Sequence, residues 1–170
     1  MIEVRATHEM DPAEREDAIQ FCGSGSNLEA YKVGWIPLAA YYGATLQKRL
    51  IVCYNNDDKV GYCLWQHSFG DIACYQIWVR PDARLILHGR AIVDRLNRIG
   101  YERNARLVRL WCGEDLAANT FWAALGFTNE GWRHGPKRTS KRRHLLWTQR
   151  ITTPLEGEQH VLAASLWEWL

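Results

Sequence analysis

Gln76-Ile77-Trp78-Val79-Arg80-Pro81-Asp82-Ala83-Arg84-Leu85-Ile86-Leu87-His88-Gly89-Arg90-Ala91-Ile92 is the stretch on which the fold turns. An apolar strand runs to Pro81, a short turn follows, and an amphipathic helix opens between Arg84 and Gly89. A strand that feeds a helix through a tight turn collects unpaired backbone N–H groups at one point. The helix dipole adds to them, so the point attracts anions and phosphates above all. Arg84, His88 and Arg90 are the side-chain donors expected there. An ordinary strand-to-helix connection with solvated arginines is the other reading of the same residues.

Working outward, the helix repeats Ile86, Ile92/Val93, Leu96 and Ile99 on one face, with Arg90, Arg95 and Arg98 elsewhere. Before the quoted stretch, Leu50–Tyr54 and Val60–His67 read as strands joined by Asn55-Asn56-Asp57-Asp58. Ile72–Val79 then returns through Phe69-Gly70-Asp71. Ile2–Thr7 reads as a strand and Asp11–Phe21 as a helix stopped by Gly23–Ser26. Asn27–Leu46 reads as helical pieces broken at Gly34 and Pro37. Beyond it, Leu107–Cys112 is a strand and Leu116–Leu125 a helix ended by Gly126. Thr128–Trp132 and Arg143–Ile151 form a hairpin. With no repeat and no linker, residues 1–151 read as one α/β (α+β) domain. Residues 152–170 form an extension that belongs to the same domain or to a dimer contact.

The chain has 170 residues, 47% of them apolar, enough for a substantial core. Its nine tryptophans are spread singly along the sequence and read as core residues or as the lining of a groove. Five cysteines without a Cys-x-x-Cys pair read as core thiols rather than disulfides or zinc ligands. No apolar run is long enough to span a bilayer, and a cytoplasmic protein is expected. Net charge is only +2, but residues 133–150 carry seven basic and no acidic side chains. The block Arg133–His144 is therefore either a solvated loop or a contact for a polyanion such as nucleic acid.

A second segment is Asp115-Leu116-Ala117-Ala118-Asn119-Thr120-Phe121-Trp122-Ala123-Ala124-Leu125-Gly126-Phe127. It reads as a short capped helix with small residues at 117, 118, 123 and 124 and a glycine stop. Together the two segments resemble the GNAT superfamily of acyl-CoA-dependent N-acyltransferases. The family's phosphate motif, Arg/Gln-x-x-Gly-x-Gly/Ala, falls on Arg84, Leu87 and Gly89. Its later pattern, Asn-x-x-Ala-x-x-Phe-Tyr-x-x-Leu-Gly-Phe, falls on Asp115, Ala118, Phe121, Trp122, Leu125, Gly126 and Phe127. The resemblance covers roughly residues 2–151 and implies a mixed, mostly antiparallel central sheet flanked by helices.

It also implies a binding mode for acetyl-CoA as co-substrate. Backbone groups of Ile77 and Val79 would pair with the pantetheine arm. The N–H groups of Leu87, His88, Gly89 and Arg90, with Arg84, would hold the pyrophosphate, and Asn119 and Phe121 would flank the pantetheine. A primary amine would attack the thioester directly, aided by a base and an acid. Three positions depart from the family pattern: Leu87 stands at a glycine position, Asp115 stands at an asparagine position, and Trp122 stands where a tyrosine often protonates the thiolate. An indole N–H is a donor but no proton source. Tyr75, His67 and Glu114 are the candidate acid–base groups. Tyr31, Trp35, Tyr41 and Tyr42 are candidates for an acceptor cleft. A nucleic-acid-directed enzyme using Arg133–His144, and a non-catalytic CoA-binding protein, stand as alternatives, and a homodimer is expected.

Overall fold

The computed structural model describes residues 1–30, 34–84, 87–135 and 142–152. Seven strands form one sheet: β1 (Ile2–Ala6), β2 (Leu50–Asn55), β3 (Asp58–Ser68), β4 (Asp71–Val79), β5 (Leu107–Gly113), β6 (Thr128–His134) and β7 (Arg143–Arg150). Their spatial order is β1-β2-β3-β4-β5-β7-β6. Every pairing is antiparallel except β4 with β5. Both early hairpins close as their turn residues require. Asn55 pairs with Asp58 and Ser68 with Asp71, while Phe69 and Gly70 both take positive φ in the second turn. The expected mixed, mostly antiparallel sheet is thus present.

Helices α1 (Pro12–Leu28) and α2 (Leu38–Leu46) cover one face of the sheet, and α3 (His88–Glu102) and α4 (Ala118–Ala124) cover the other. Two cores result, as expected for a sheet with helices on both faces. One gathers Ile51, Cys63, Trp65, Ile72, Ile92, Leu96, Val108, Trp122 and Trp147 under α3 and α4. The other gathers Ile19, Cys22, Tyr41, Leu50, Tyr62 and Trp78 under α1 and α2. The 3.6-residue repeat of α3 is realised, with Ile92, Val93, Leu96 and Ile99 all buried.

Helix α1 departs from the sequence reading by running through the Gly-Ser segment to Leu28. Asp11 caps its start, accepting from Ala13 N and Glu14 N. Its glycines serve packing: a Cβ at Gly25 would lie 2.8 Å from the Trp78 ring, and one at Gly23 would lie 2.8 Å from Leu38. The tryptophans divide. Trp65, Trp78, Trp122 and Trp147 are core residues, whereas Trp35 and Trp132 are exposed. All five cysteines are buried and free. Among the described residues no helix is long and apolar enough to cross a membrane. The extension beyond Thr152, with its expected dimer contact, lies outside the described residues.

Candidate functional site

The parallel pairing of β4 with β5 is short. It covers Ile72↔Val108, Ala73↔Arg109 and Cys74↔Leu110, and then stops. From Gln76 onward β4 keeps its β3 partner and has no partner on β5. A β-bulge marks the same place, because Leu64 faces Gln76 while Trp65 faces Cys74, so Tyr75 is the extra residue. Bulges bend the strand that carries them. The two strands therefore enclose an opening whose root is Tyr75.

Which backbone groups face this opening follows from the ladder. Arg80 N donates to Val60 O at 2.8 Å, so the polar groups of Arg80, Trp78 and Gln76 point at β3. By alternation, those of Ile77 and Val79 point the other way, into the opening. The carbonyl of Val79 there accepts the Arg84 Nε–H at 2.9 Å.

Chain leaving β4 makes a short 3₁₀ turn at Pro81–Ala83, and α3 starts at His88 with Leu87 as its cap residue. This start falls within the Arg84–Gly89 window that the sequence gives. Arg80 anchors the turn with bonds to Asp58 and Asp82, and holds both carboxyls below the usual carboxylate range. The first helical bond is Ala91 N to Leu87 O, which leaves the N–H groups of His88, Gly89 and Arg90 without intrahelical acceptors. Leu87 is exposed. Gly89 lies against α4, where a Cβ would come within 2.9 Å of Phe121 Cζ.

Side chains expected beside the phosphates are engaged elsewhere. Arg84 forms an ion pair with Glu29, a carboxylate that is almost completely buried and also accepts the Trp78 indole N–H at 2.9 Å. Arg90 reaches forward along the helix to Asp94. His88 is buried in the core, with Nδ1 2.9 Å from Ala83 O, and ties the turn to the helix. What the turn presents is backbone.

On the far side of the opening, α4 follows β5. Asn119 is fully occupied there. Its Nδ2 donates to Gly113 O and Leu116 O, both at 2.8 Å, and to Glu114 O at 3.2 Å. Its Oδ1 accepts the Trp147 indole N–H at 2.9 Å. Trp122 is buried, stacked edge-on with Phe121 and Phe127, and its indole N–H lies against the Cys112 thiol. Burial pushes that thiol up to about 11. Asp115 does not cap the helix; it pairs with Arg142 at 2.7 Å, which holds its carboxyl low. Ala117, Ala118, Ala123 and Ala124 face solvent.

The candidate acid–base groups do not converge. Tyr75 is exposed at the root of the opening, and its hydroxyl donates to Gln66 Oε1 at 3.2 Å. Glu114 forms a two-bond ion pair with Arg143, each bond 2.7 Å. His67 faces Ile72 at the closed end of the sheet, roughly 17 Å along the strand from Ile77 at the usual rise per residue. Of the acceptor-cleft candidates, Tyr41 is buried and bonded to Gln76 Oε1 at 2.6 Å, and Tyr42 bonds Glu16. Trp35 is exposed, and Tyr31 lies outside the described residues. The Tyr41–Tyr62–Gln76 cluster, which the sequence reading missed, ties the segment at Gly34 to β4 through Gln76 Nε2.

An antiparallel sheet interrupted by one short parallel pairing, with a helix N-terminus at the mouth of the gap, can be set beside solved structures. The ribosomal-protein-S18-alanine N-acetyltransferase from Escherichia coli superposes with a TM-score of 0.70 at 15% identity, covering 95% of this chain and 100% of that one. A protein of the GNAT family from Desulfovibrio desulfuricans gives 0.66 at 13% identity, over 89% of this chain and 100% of that one. This chain has the GNAT fold. Salmonella typhimurium yncA, solved with acetyl-CoA, shares the GNAT fold with it at a TM-score of 0.67 and 15% identity, over 94% and 99% of the two chains. No family model matches the sequence, and no curated protein does.

Proposed function

We propose that this chain is an acyl-CoA-dependent N-acyltransferase that uses acetyl-CoA to acetylate a primary amine. The observation that carries the reading is the end of the β4–β5 ladder at Cys74↔Leu110. It leaves the backbone groups of Ile77 turned into a gap whose mouth holds the first-turn N–H groups of His88–Arg90. An amide-bearing arm can complete the ladder on β4, and a pyrophosphate can take the helix N-terminus. Structural relatives that are acetyltransferases, one of them solved with acetyl-CoA, support the same assignment.

The thioester supplies the activated acyl group. The chain's part is to hold that group beside the amine and exclude misaligned encounters, so proximity does most of the work. Trp122 gives no proton. Tyr75 is the phenol at the root of the gap, and in this reading it carries the proton to the departing thiolate.

Calorimetric titration of acetyl-CoA, followed by thiol release on a panel of amines, tests the reading. Ile77→Pro removes one N–H that faces the gap without removing a bond to β3, and should weaken acetyl-CoA binding roughly three- to tenfold, the worth of one hydrogen bond. Tyr75→Phe should lower turnover with binding unchanged. No binding of acetyl-CoA to the folded protein would refute the proposal.

A second reading, CoA binding without turnover, is favoured by the burial of Trp122 against Cys112. Binding with no thiol release on any amine would establish it. The nucleic-acid reading has less support, because Arg142 and Arg143 sit in ion pairs and Arg133 stacks 4.0 Å from the Trp111 ring. Lys137, Arg138 and Lys141 lie outside the described residues. Salt-sensitive DNA binding lost on neutralising this block would revive it.

A further inference from the structure

At the opposite end of α3 from the acyl-CoA gap, a cleft of about 110 Å³ is lined by Lys48, Trp65, Arg95 and Arg103, with Glu9 and Glu102 also in its wall. Helix α3 separates the two places by roughly 20 Å at 1.5 Å per residue. Among the described residues two buried donors of this lining lack any partner: Trp65 Nε1 and Arg95 Nε. Trp65 is only 3% exposed, so its unmet N–H is the more telling of them. Native proteins rarely bury donors without an acceptor.

Charge points the same way. Among the described residues Lys48, Arg95 and Arg103 have no carboxylate in ion-pair range, and Arg103 lies over the Trp65 ring at 5.1 Å. The two acids of the lining stand at its exposed rim. Glu102 is shared with Arg98 at 3.4 Å, and Glu9 lies 3.7 Å from His8 Nε2. The C-terminus of α3 contributes about half a negative charge. Its last carbonyls are already met, by Arg103 N on Ile99 O and Gly100 O and by Asn104 N on Tyr101 O. Against the two rim carboxylates and that half charge, the three cations leave a small net positive charge. The volume fits one tetrahedral ion or a few waters.

We propose that this cleft binds a small oxyanion of the phosphate class, at a site separate from the acyl-CoA gap. Lys48, Arg95 and Arg103 supply the charge, and Trp65 Nε1 supplies the neutral donor that orients the ion. Nothing in this assignment depends on the acyltransferase reading.

Titration of the full-length protein with inorganic phosphate at constant ionic strength, followed by calorimetry and phosphorus NMR, tests it. A saturable site that saturating acetyl-CoA does not displace is expected. Arg95→Gln should weaken it at least tenfold. Trp65→Phe, which keeps an aromatic ring and deletes the N–H, should weaken it roughly three- to tenfold. A parallel titration with a phosphomonoester identifies the source: exclusion assigns the free ion, and tighter binding assigns a phosphorylated metabolite. Absence of saturation at tens of millimolar phosphate overturns the proposal. So does an affinity unchanged in both Arg95→Gln and Lys48→Gln, provided circular dichroism shows the variants folded.

Discussion

Replacing Asn119 by alanine removes a single side chain that joins four parts of the protein: the end of β5, the loop after it, α4 and β7. The cost can be worked out bond by bond. Trp147 is buried, and its indole N–H loses its acceptor. An orphaned buried donor costs about 1–3 kcal/mol. Gly113 O and Leu116 O each lose a bond of 2.8 Å but keep a backbone donor, Leu116 N and Asn119 N respectively. Those losses add about 0.5–1 kcal/mol each.

A total near 2–5 kcal/mol lowers Tm by roughly 4–20 °C for a chain of this size. Asn119→Asp is the sharper variant. It can still accept from Trp147, and a negative charge in the first turn of α4 gains about 0.3–1 kcal/mol. Against this it sets a carboxylate oxygen opposite three carbonyls that need a donor. The expected order of stability is Asn, then Ala, then Asp, read from guanidinium melts followed by circular dichroism. Wild-type stability in the aspartate variant would refute the latch. So would a loss confined to acetyl-CoA affinity, which would instead make Asn119 a ligand contact.

Gly25→Ala gains up to about 1 kcal/mol of helix propensity, but its methyl meets the Trp78 ring at 2.8 Å and Tyr62 at 3.1 Å. Net destabilisation is expected in a thermal melt, and a stabilised variant would show that the aromatic stack yields easily. Glu29→Gln keeps an acceptor for Trp78 and releases Arg84, so stability should fall by about 1.5–3 kcal/mol while CoA binding tightens. Unchanged CoA affinity would show that Arg84 does not reach the pyrophosphate. Burial and neighbouring cations lower the pKa of both His8 and His144 below 6.5, so protons bind the unfolded chain more readily. Stability should therefore drop as pH falls below about 6.5, and His8→Gln with His144→Gln should flatten the drop in melts between pH 7 and pH 5.

Local signals carried most of the fold. The apolar repeat of α3, the Asn55–Asp58 and Phe69–Asp71 turns, and the glycine at 126 each act over a few residues. Each appears in the structure close to where the sequence puts it. Gly23 and Gly25 misled because their reason is distant: they make room for Leu38 and Trp78, and that packing overrides the glycine penalty within α1. The candidate site was legible in its backbone and illegible in its side chains. Strand alternation predicts that Ile77 and Val79 face one way. No spacing rule announces that Arg84 will meet Glu29, 55 residues earlier, or that Asn119 will hold Trp147. Nor does one place Glu114 with Arg143. These partners are set by how β7 lies across β5 and how α1 ends beside β4.

The position of β7 between β5 and β6 has a consequence for synthesis. Strands β1 to β4 follow one another in sequence and in space, so that half can pair as soon as it leaves the ribosome. β5 and β6 cannot be joined until Arg143–Arg150 has been made, because the strand that lies between them comes last. Throughout that interval β5 presents a bare edge with Val108, Leu110 and Cys112 along it, the kind of surface that recruits other chains. A ribosome stalled before residue 143 would therefore hold a nascent chain that is half assembled and prone to clump.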